Sequence, residues 1–283
     1  MIRLAIQKSG RLSDDSLTLI RECGISFLSS SLKLITGATN FPLEILFLRD
    51  DDIPGYVADG VADLGIVGEN VLVEENLQHL VVQKLGFSRC RLSLAVLKGA
   101  EYESVQDLQD KNIATSYPNL LQAYLQKHGV TAHIHKISGS VEIAPSIGLA
   151  DAICDIVSSG STLISNGLRE VERVFKSEAV LIANPDLSVE KKDILSQFLF
   201  RIQSVQRARK VKYILLNAPN DAIEDIKALL PGMRSPSILP LAQEGWSSLH
   251  SVVNEDDFWR TIQKLREAGA EGILVLPIEK MIV

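Results

Sequence analysis

The chain has little of what a secreted, membrane-spanning or nucleic-acid-binding protein needs. Its 283 residues contain no apolar run of about eighteen or more residues, the length that spans a bilayer. The N-terminal MIRLAIQKSGRLSDD has too short an apolar stretch, with charged residues at once behind it, to be a signal peptide. A net charge of -6 argues against non-specific binding of nucleic acid. We therefore expect a cytoplasmic protein without a membrane or nucleic-acid partner.

Cysteine is scarce, and several catalytic patterns are missing. Cys23, Cys90 and Cys154 are an odd number without metal-type spacing, which fits a reducing compartment and small buried side chains. The five histidines form no metal pattern, and no Ser-His-Asp or Cys-His arrangement can be inferred. Neither G-x-x-x-x-G-K-[ST] nor a G-x-G-x-x-G after a strand occurs. Phosphate binding by a Walker loop and dinucleotide binding are therefore without support.

Instead, the sequence has the alternation of an α/β protein. Hydrophobic residues make up 46% and charged residues 23%, and the length allows two or three domains. Short apolar runs alternate with amphipathic stretches, which predicts parallel sheets covered by helices. We predict one lobe from residues 1–90 plus 179–207 and a second from 91–178, with short helices at 104–110 and 141–149. Such lobes bind ligands in the cleft outside the carboxyl ends of their strands.

Residues 208–283 follow a different order. We predict strands at 211–216, 237–241, 247–253 and 272–276, with helices at 222–230 and 256–268. This β-α-β-β-α-β order is typical of a ferredoxin-like domain. The basic QRARK at 206–210 marks the expected boundary.

The most informative stretch follows the predicted strand at 151–157. Asp155 is the one carboxylate within its apolar run, and Ser158-Ser159-Gly160-Ser161-Thr162 comes directly after it. A strand, a hydroxyl-rich loop and a helix place backbone N–H groups at a helix N-terminus, which is an anion site. The loop suits a phosphate monoester, and Asp155 would accept hydrogen bonds from sugar hydroxyls nearby. The alternative is a serine-rich turn with an N-cap.

A second carboxylate lies upstream of this loop. We predict Glu142 at the start of the helix over 141–149, where a Glu is also an ordinary surface residue favoured by the helix dipole. Together with Asp151 and Asp155 it would form an acidic cluster that holds Mg²⁺ or sugar hydroxyls.

Basic residues follow two strands of the first lobe. Lys8 and Arg11 flank Gly10 after the first strand, and Arg49 follows the strand at 43–48. Cations at neighbouring strand ends suit phosphate groups, although ordinary surface charge is the alternative. Further side chains predicted for the same cleft are Arg89, Arg91 and Tyr117. Tyr117 would either stack on a base or pack half-buried.

These stretches resemble a known family. EIAPSIGLADAICDIVSSGSTL, residues 142–163, is similar to the signature of ATP phosphoribosyltransferase, the first enzyme of histidine biosynthesis. Similar stretches occur in order at 6–12, 48–70, 91–95, 113–121, 166–172 and 273–281. The resemblance covers nearly the whole chain, and residues 208–283 make it look like the long form. The expected fold class is α/β: a two-lobed periplasmic-binding-protein-like catalytic core plus a C-terminal ferredoxin-like regulatory domain.

The resemblance implies a reaction of ATP with 5-phosphoribosyl 1-diphosphate (PRPP) that gives N1-(5-phosphoribosyl)-ATP and diphosphate, with Mg²⁺ as cofactor. It implies that the loop Ser158–Thr162 holds the ribose 5-phosphate and Asp155 the ribose hydroxyls. Glu142 would lie near the ribose, while Lys8, Arg11, Arg49 and Tyr117 would face ATP and diphosphate. Asp155, Glu142 and Arg11 are the expected catalytic residues. The ligands of Mg²⁺ are not identified.

The resemblance also implies regulation by histidine. The matching segments place the inhibitor near Asn217, Ser235, Ser237 and Ala270, all of which are otherwise ordinary turn or strand-end residues. Family members of this type are dimers when active and hexamers when inhibited, so a homo-oligomer is expected. A solute-receptor-type binding protein with a sensor domain, and a non-catalytic regulatory subunit, remain as alternatives of other classes. PRPP binding that needs Mg²⁺ would support only the enzyme.

Overall fold

The computed structural model describes residues 1–28, 33–230 and 235–282. It divides into two compact units, Met1–Leu195 and Ser196–Val283. Within the described ranges, no helix is long and apolar enough to cross a membrane.

The first unit contains two sheets. In chain order its strands are β1 Ile2–Gln7, β2 Ile35–Gly37, β3 Leu43–Leu48, β4 Leu64–Gly68, β5 Val81–Lys84, β6 Cys90–Leu97, β7 Asn112–Thr115, β8 His133–Lys136, β9 Ala152–Val157, β10 Leu168–Ser177 and β11 Ala179–Ala183. Its helices are α1 Arg11–Glu22, α2 Ile53–Ala58, α3 Glu69–Glu74, α4 Pro118–Lys127 and α5 Ser161–Ser165, and α6 Val189–Ala208 begins in this unit.

The first sheet has the strand order β2-β3-β1-β4-β11-β5. The central strand β1 pairs parallel with β3 and β4, and β11 is antiparallel to β4 and β5. Apolar side chains such as Ile2, Leu4 and Ile45 are fully buried, as expected for a parallel sheet covered on both faces. Because Gln7 of β1 lies opposite Leu48 of β3, the turns that carry Lys8 and Arg49 are neighbours.

The second sheet has the strand order β10-β6-β9-β7-β8. β7 is parallel to β8 and β9, whereas β6 and β10 run antiparallel to their neighbours. Leu92, Ile113 and Leu121 belong to the core on one face, and Ile153 and Leu163 belong to the core on the other. The second core holds α5 against the sheet, and so it fixes the start of that helix at the end of β9.

Two predicted helices of the second lobe are wrong. At 141–149 only Val141–Ile143 forms a 3₁₀ turn, because Pro145 has no N–H to donate and Gly148 has φ 75°. Glu142 therefore lies in a 3₁₀ turn rather than at a helix start. At 104–110 a 3₁₀ helix, Val105–Leu108, replaces the predicted helix.

Strand β10 was not predicted. Charged residues occupy five of its ten positions, and two register shifts against β6 disturb the alternation of outward and inward residues. Period-two patterning, the signal by which a half-buried strand is detected, is therefore missing from its sequence.

The second unit contains the strands β12 Val211–Pro219, β13 Ser237–Pro240, β14 Trp246–Asn254 and β15 Glu271–Pro277, and the helices α7 Ile223–Leu229 and α8 Glu255–Glu267. Its antiparallel sheet has the order β13-β14-β12-β15. Ile226 of α7 and Leu265 of α8 pack with Leu216 and Leu249 of the sheet. The predicted ferredoxin-like order is therefore confirmed. The residue limits of the three predicted domains stay predictions.

Candidate active site

The hydroxyl-rich loop after β9 has the form that the sequence predicts. Gly160 has φ 85° and ψ 0°, in the left-handed region, which costs other residues about 1–2 kcal/mol. The Ser159 and Ser161 hydroxyl oxygens lie 3.0 Å apart, and the Ser161 N–H donates to the Ser159 Oγ at 3.4 Å. Ser158, Ser159, Ser161 and Thr162 are exposed. The loop therefore presents several hydroxyl groups to solvent beside the start of α5.

Asp155 is half-buried in β9 close to this loop. Its Oδ1 accepts a hydrogen bond from the Ile156 N–H at 2.8 Å. Burial raises the pKa of the Asp155 carboxyl, the Ile156 N–H opposes the rise, and the negative charge of Glu142 adds to it. The structure therefore places Glu142 within electrostatic reach of Asp155, although the predicted helix around Glu142 is absent.

Arg11 connects the first sheet to the loop. Its Nη1 donates to the Ser158 Oγ at 3.1 Å, and its Nε lies 3.9 Å from Asp15. Lys8 and Arg49 are exposed at the ends of β1 and β3, where the Lys8 N–H donates to the Leu48 carbonyl oxygen at 2.8 Å. Among the described residues, neither side chain forms a hydrogen bond or an ion pair with the loop. Lys8, Arg11 and Arg49 therefore lie at the carboxyl ends of β1 and β3, and of these three Arg11 is the one with a described hydrogen bond to the loop.

A cavity of about 260 Å³, which we call the cleft cavity, lies beside these residues. Residues from both sheets line it, among them Gln7, Arg11, Asn70, Arg89, Cys90, Tyr117 and Ser158. Tyr117 lines the cleft cavity and also packs against the core around Leu121, while its stacking on a base stays a prediction. Burial raises the pKa of the Tyr117 phenol, and the charges of Asp155 and Asp50 add to the rise. Tyr117 is therefore a neutral hydrogen-bonding group near Asp155.

Arg91 supports the loop from the second sheet. Its Nη1 donates to the Ser158 carbonyl oxygen at 3.1 Å, while its Nε and Nη2 form a bidentate pair with Glu170. Glu170 also accepts from the Ser93 hydroxyl at 2.8 Å. Sequence reasoning assigned no role to Ser93 of β6 or to Glu170 of β10, although both lie within stretches that resemble the family, 91–95 and 166–172.

Two further contacts join the lobes, and the sequence did not reveal either; the residues of the first line the cleft cavity. The Ser177 hydroxyl donates to the Asn70 Oδ1 at 2.7 Å and accepts from the Asn70 N–H at 3.1 Å, and both residues are buried. The buried Glu74 carboxylate of α3 accepts the N–H groups of Asn119 and Leu120, each at 2.9 Å. Glu74 thereby caps the first turn of α4 in the other lobe.

In the second unit, the predicted inhibitor residues lie in two groups. Asn217 of β12 lies opposite Glu271 of β15, and a Cβ at Gly272 would come within 3.5 Å of the Asn217 Nδ2. Ala270 is buried just before β15. Ser237 lies on β13, which β14 separates from β12, and the exposed Ser235 donates to the Pro236 carbonyl oxygen. The structure therefore brings Asn217 and Ala270 together, and it places Ser237 on β13 and Ser235 just before that strand, farther from Asn217.

Binding of a metal ion without help from a substrate would need several ligating side chains close together. Among the described residues, no set of three or more His, Cys, Asp or Glu side chains is placed to hold a metal ion.

Comparison with known proteins gives concordant results along the chain. The family model for ATP phosphoribosyltransferase matches residues 49–204, and the model for the HisG C-terminal domain matches residues 208–280. The ATP phosphoribosyltransferase of Cytophaga hutchinsonii is 64% identical over 282 residues, covering 100% of this chain and 99% of its own. The ATP phosphoribosyltransferase of Bacteroides fragilis is 56% identical over 283 residues and is covered completely.

Solved structures agree with this assignment. A chain of the ATP phosphoribosyl transferase (HisG:HisZ) complex from Thermotoga maritima has a TM-score of 0.62 and 31% identity, covering 72% of this chain and 97% of that chain. A periplasmic sulfonate-binding protein from Methylobacillus flagellatus has a TM-score of 0.52 and 17% identity, covering 74% and 69%. The second likeness concerns the fold alone, and it fits the predicted two-lobed core. On the full-length identities and the two family matches, the chain belongs to the ATP phosphoribosyltransferase family.

Proposed function

We propose that this protein transfers the 5-phosphoribosyl group of PRPP to N1 of ATP, the first step of histidine biosynthesis. The observation that carries the proposal is the loop Ser158–Thr162 with Asp155 behind it and Arg11 in contact with it. The full-length identity of 64% to an ATP phosphoribosyltransferase supports the same assignment.

In the proposed reaction the adenine N1 attacks C1 of the ribose. The N1–C1 bond forms as the bond from C1 to the diphosphate oxygen breaks, and the electron pair leaves with the diphosphate. The attacking nitrogen belongs to the substrate, so the protein need not supply a nucleophile. Its work is positioning and electrostatic stabilisation, which suit a cleft with aligned donors.

Each predicted site residue has a part in that work. The hydroxyl and N–H groups of Ser158–Thr162 would hold the 5-phosphate, and Gly160 would allow its close approach. Asp155 would accept hydrogen bonds from the ribose hydroxyls, while Glu142 adds negative charge beside a sugar that becomes cationic. Arg11 would stabilise the departing diphosphate, and Lys8 and Arg49 would attract phosphate groups to the strand ends. Tyr117 would contact the adenine of ATP.

Mg²⁺ in phosphate-handling sites is held by one or two carboxylates together with substrate phosphates. Asp155 and Glu142 fit that limited donor set because they lie within electrostatic reach of each other beside the loop. When bound, Mg²⁺ would neutralise charge on the diphosphate as a Lewis acid.

We also propose that histidine inhibits the protein through the second unit, at Asn217, Ala270, Ser235 and Ser237. Inhibition would accompany a shift between homo-oligomers, dimer and hexamer, that differ in affinity for histidine. A cytoplasmic location fits this biosynthetic role.

The direct test is an assay by mass spectrometry. Purified protein is mixed with ATP, PRPP, Mg²⁺ and a pyrophosphatase, and phosphoribosyl-ATP is measured with and without histidine. Product that histidine suppresses is the expected result. A folded protein that forms no product would refute the transferase proposal, and a binding protein would replace it.

A further inference from the structure

A second cavity, of about 400 Å³, lies beside the cleft cavity and shares Arg89, Cys90, Ser158 and Ser177 with it. We call it the basic pocket. Five cationic residues line it against two carboxylates, Glu69 and Glu178; the cations are Lys84, Arg89, Arg91, Arg173 and Lys176. Its volume lies in the range of small-molecule sites. Arg173 and Lys176 lie outside the stretches that resemble the family, and the proposed function gives neither residue a role.

Three of the cations already have partners. Lys84 lies 3.0 Å from Glu69, Arg89 lies 4.0 Å from Glu178, and Arg91 pairs with Glu170. The side chains of Arg173 and Lys176 make no hydrogen bond and no ion pair within 4.0 Å across the residues that the structure describes. Glu170, which pairs with Arg91, also interacts electrostatically with Arg173, so one carboxylate faces two cations there. Arg173 and Lys176 are therefore the two cations of the basic pocket that hold no ion pair of their own.

The backbone of β10 aims these side chains at the pocket. Arg173 lies opposite Ser93 and Lys176 opposite Arg91, and a register shift precedes each pair. Each register shift leaves one residue of β10 without a partner on β6. As a result Glu170, Arg173 and Lys176 lie on the face that also carries Ser93 and Arg91. Bulges that redirect a side chain are frequent next to active sites.

Lys176 and Arg91 lie directly opposite each other in the antiparallel pair of β10 with β6, where like charges repel. The pairing of Arg91 with Glu170 offsets part of that repulsion. A bound polyanion would offset more of it. Arg173, Ser93 and Asp155 also form one row across β10, β6 and β9. Since neighbouring strands lie about 4.8 Å apart, the Arg173 Cα is roughly 10 Å from that of Asp155, the reach of a phosphoribosyl group with its diphosphate.

We propose that the basic pocket binds a pyrophosphoryl group, and that Arg173 and Lys176 are its specificity-determining residues. The inference rests on the proposed function, in which both substrates carry this group. PRPP carries it as the diphosphate on C1, and ATP carries it as its β- and γ-phosphates. Two adjacent cations on a rigid strand suit the spacing of two linked phosphates.

The test uses inorganic diphosphate as the probe, titrated calorimetrically into the full-length protein. Because a hydrogen bond between charged groups contributes about 1.5–3 kcal/mol, Arg173→Gln and Lys176→Gln should each weaken binding about tenfold or more. The matched control is Lys98→Gln, an exposed lysine just beyond the other end of the β6–β10 pair, which should leave binding unchanged. Both variants change exposed side chains, so neither should melt below the wild type, and Lys176→Gln should melt at the same temperature or slightly higher because it removes the repulsion with Arg91.

Unchanged diphosphate binding in both variants, or no binding by the wild type at millimolar diphosphate, would overturn the inference. Steady-state kinetics identify the source of the group: a raised KM for PRPP alone indicates its diphosphate, and a raised KM for ATP alone indicates its triphosphate. The two proposals also fail separately. A wild type that forms phosphoribosyl-ATP while the variants bind diphosphate normally refutes only the pocket. A wild type that forms no product, with diphosphate binding that depends on Arg173, refutes only the transferase.

Discussion

Asp155 is a residue whose proposed role opposes the stability of the fold. Its carboxylate lies half-buried in β9, where burial raises its pKa above the ordinary value. The folded protein therefore binds the Asp155 proton more tightly than the unfolded chain does. The stabilisation that the protonated carboxyl provides is complete below the unfolded pKa and is lost as the pH rises through the folded pKa.

We predict opposite effects of Asp155→Asn on stability and activity. At pH 7 the amide avoids the cost of a buried charge and can still accept the Ile156 N–H, so the melting temperature should rise. The rise should shrink as the pH falls through the range where Asp155 is protonated. Transfer should fall at least about a hundredfold, since an interaction with the transition state is lost. Calorimetric melting from pH 4 to 8 and a product assay measure both effects.

The exposed Asp186 supplies the control, because Asp186→Asn changes the same charge without burial and should alter neither property. A variant at Asp155 that melts like the wild type across the pH range would contradict the electrostatic account. Wild-type transfer rates in that variant would refute the role of Asp155 at the ribose.

At the scale of elements, the structure confirms the strands that were predicted from short, mostly apolar runs. β1, β3, β4 and β9 are mostly apolar and mostly buried, with single charged residues such as Arg3, Glu44 and Asp155 within them. The loop after β9 was predicted because hydroxyl residues replace apolar ones there. The prediction failed where tertiary contacts override local patterning. In β10, Glu170 pairs with Arg91 of β6, while Arg173 and Lys176 face the basic pocket. The sequence of β10 has no regular alternation that would have predicted a strand.

The contact between α3 and α4 is an element-scale feature that the sequence could not reveal. Glu74 accepts two N–H groups at the first turn of α4, 45 and 46 residues farther along the chain, and it is only 7% exposed. We predict that Glu74→Gln destabilises the protein by about 1–3 kcal/mol, because its NH₂ group would face one of those N–H groups and leave it unsatisfied.

Urea unfolding of the two proteins measures this loss. The neighbouring Glu75 is exposed, so Glu75→Gln removes the same charge and should change the free energy of unfolding by less than about 0.5 kcal/mol. Equal stability of the Glu74 and Glu75 variants would contradict a capping role across the lobes.

At the scale of the whole molecule, the order of helices and strands could be predicted, but contacts between residues far apart in the sequence could not. The sequence indicated basic turns and a phosphate loop separately, and only the structure joins Arg11 to Ser158 across 147 positions. The second unit shows the same limit. Its β-α-β-β-α-β order was predicted from the pattern of apolar and polar residues. The separation of Ser237 from Asn217, in contrast, follows from the sheet order β13-β14-β12-β15.

The last prediction concerns the proposed division of labour between transfer and regulation. If histidine acts through the second unit, a chain that lacks residues 211–283 should lose inhibition by histidine. In the full chain, Asn217→Ala should raise the half-inhibitory histidine concentration at least about fivefold, the lower end of typical coupling between sites. Initial rates of phosphoribosyl-ATP formation, measured against histidine concentration, provide the comparison.

The control for the point variant is Asp221→Ala, an exposed residue just after β12 that should leave inhibition unchanged. Histidine inhibition that persists in the shortened chain would place the sensor within residues 1–210. If the shortened chain is inactive, the Asn217 variant decides the matter in the full-length protein. If that variant is inhibited like the wild type, histidine does not bind at Asn217 between β12 and β15.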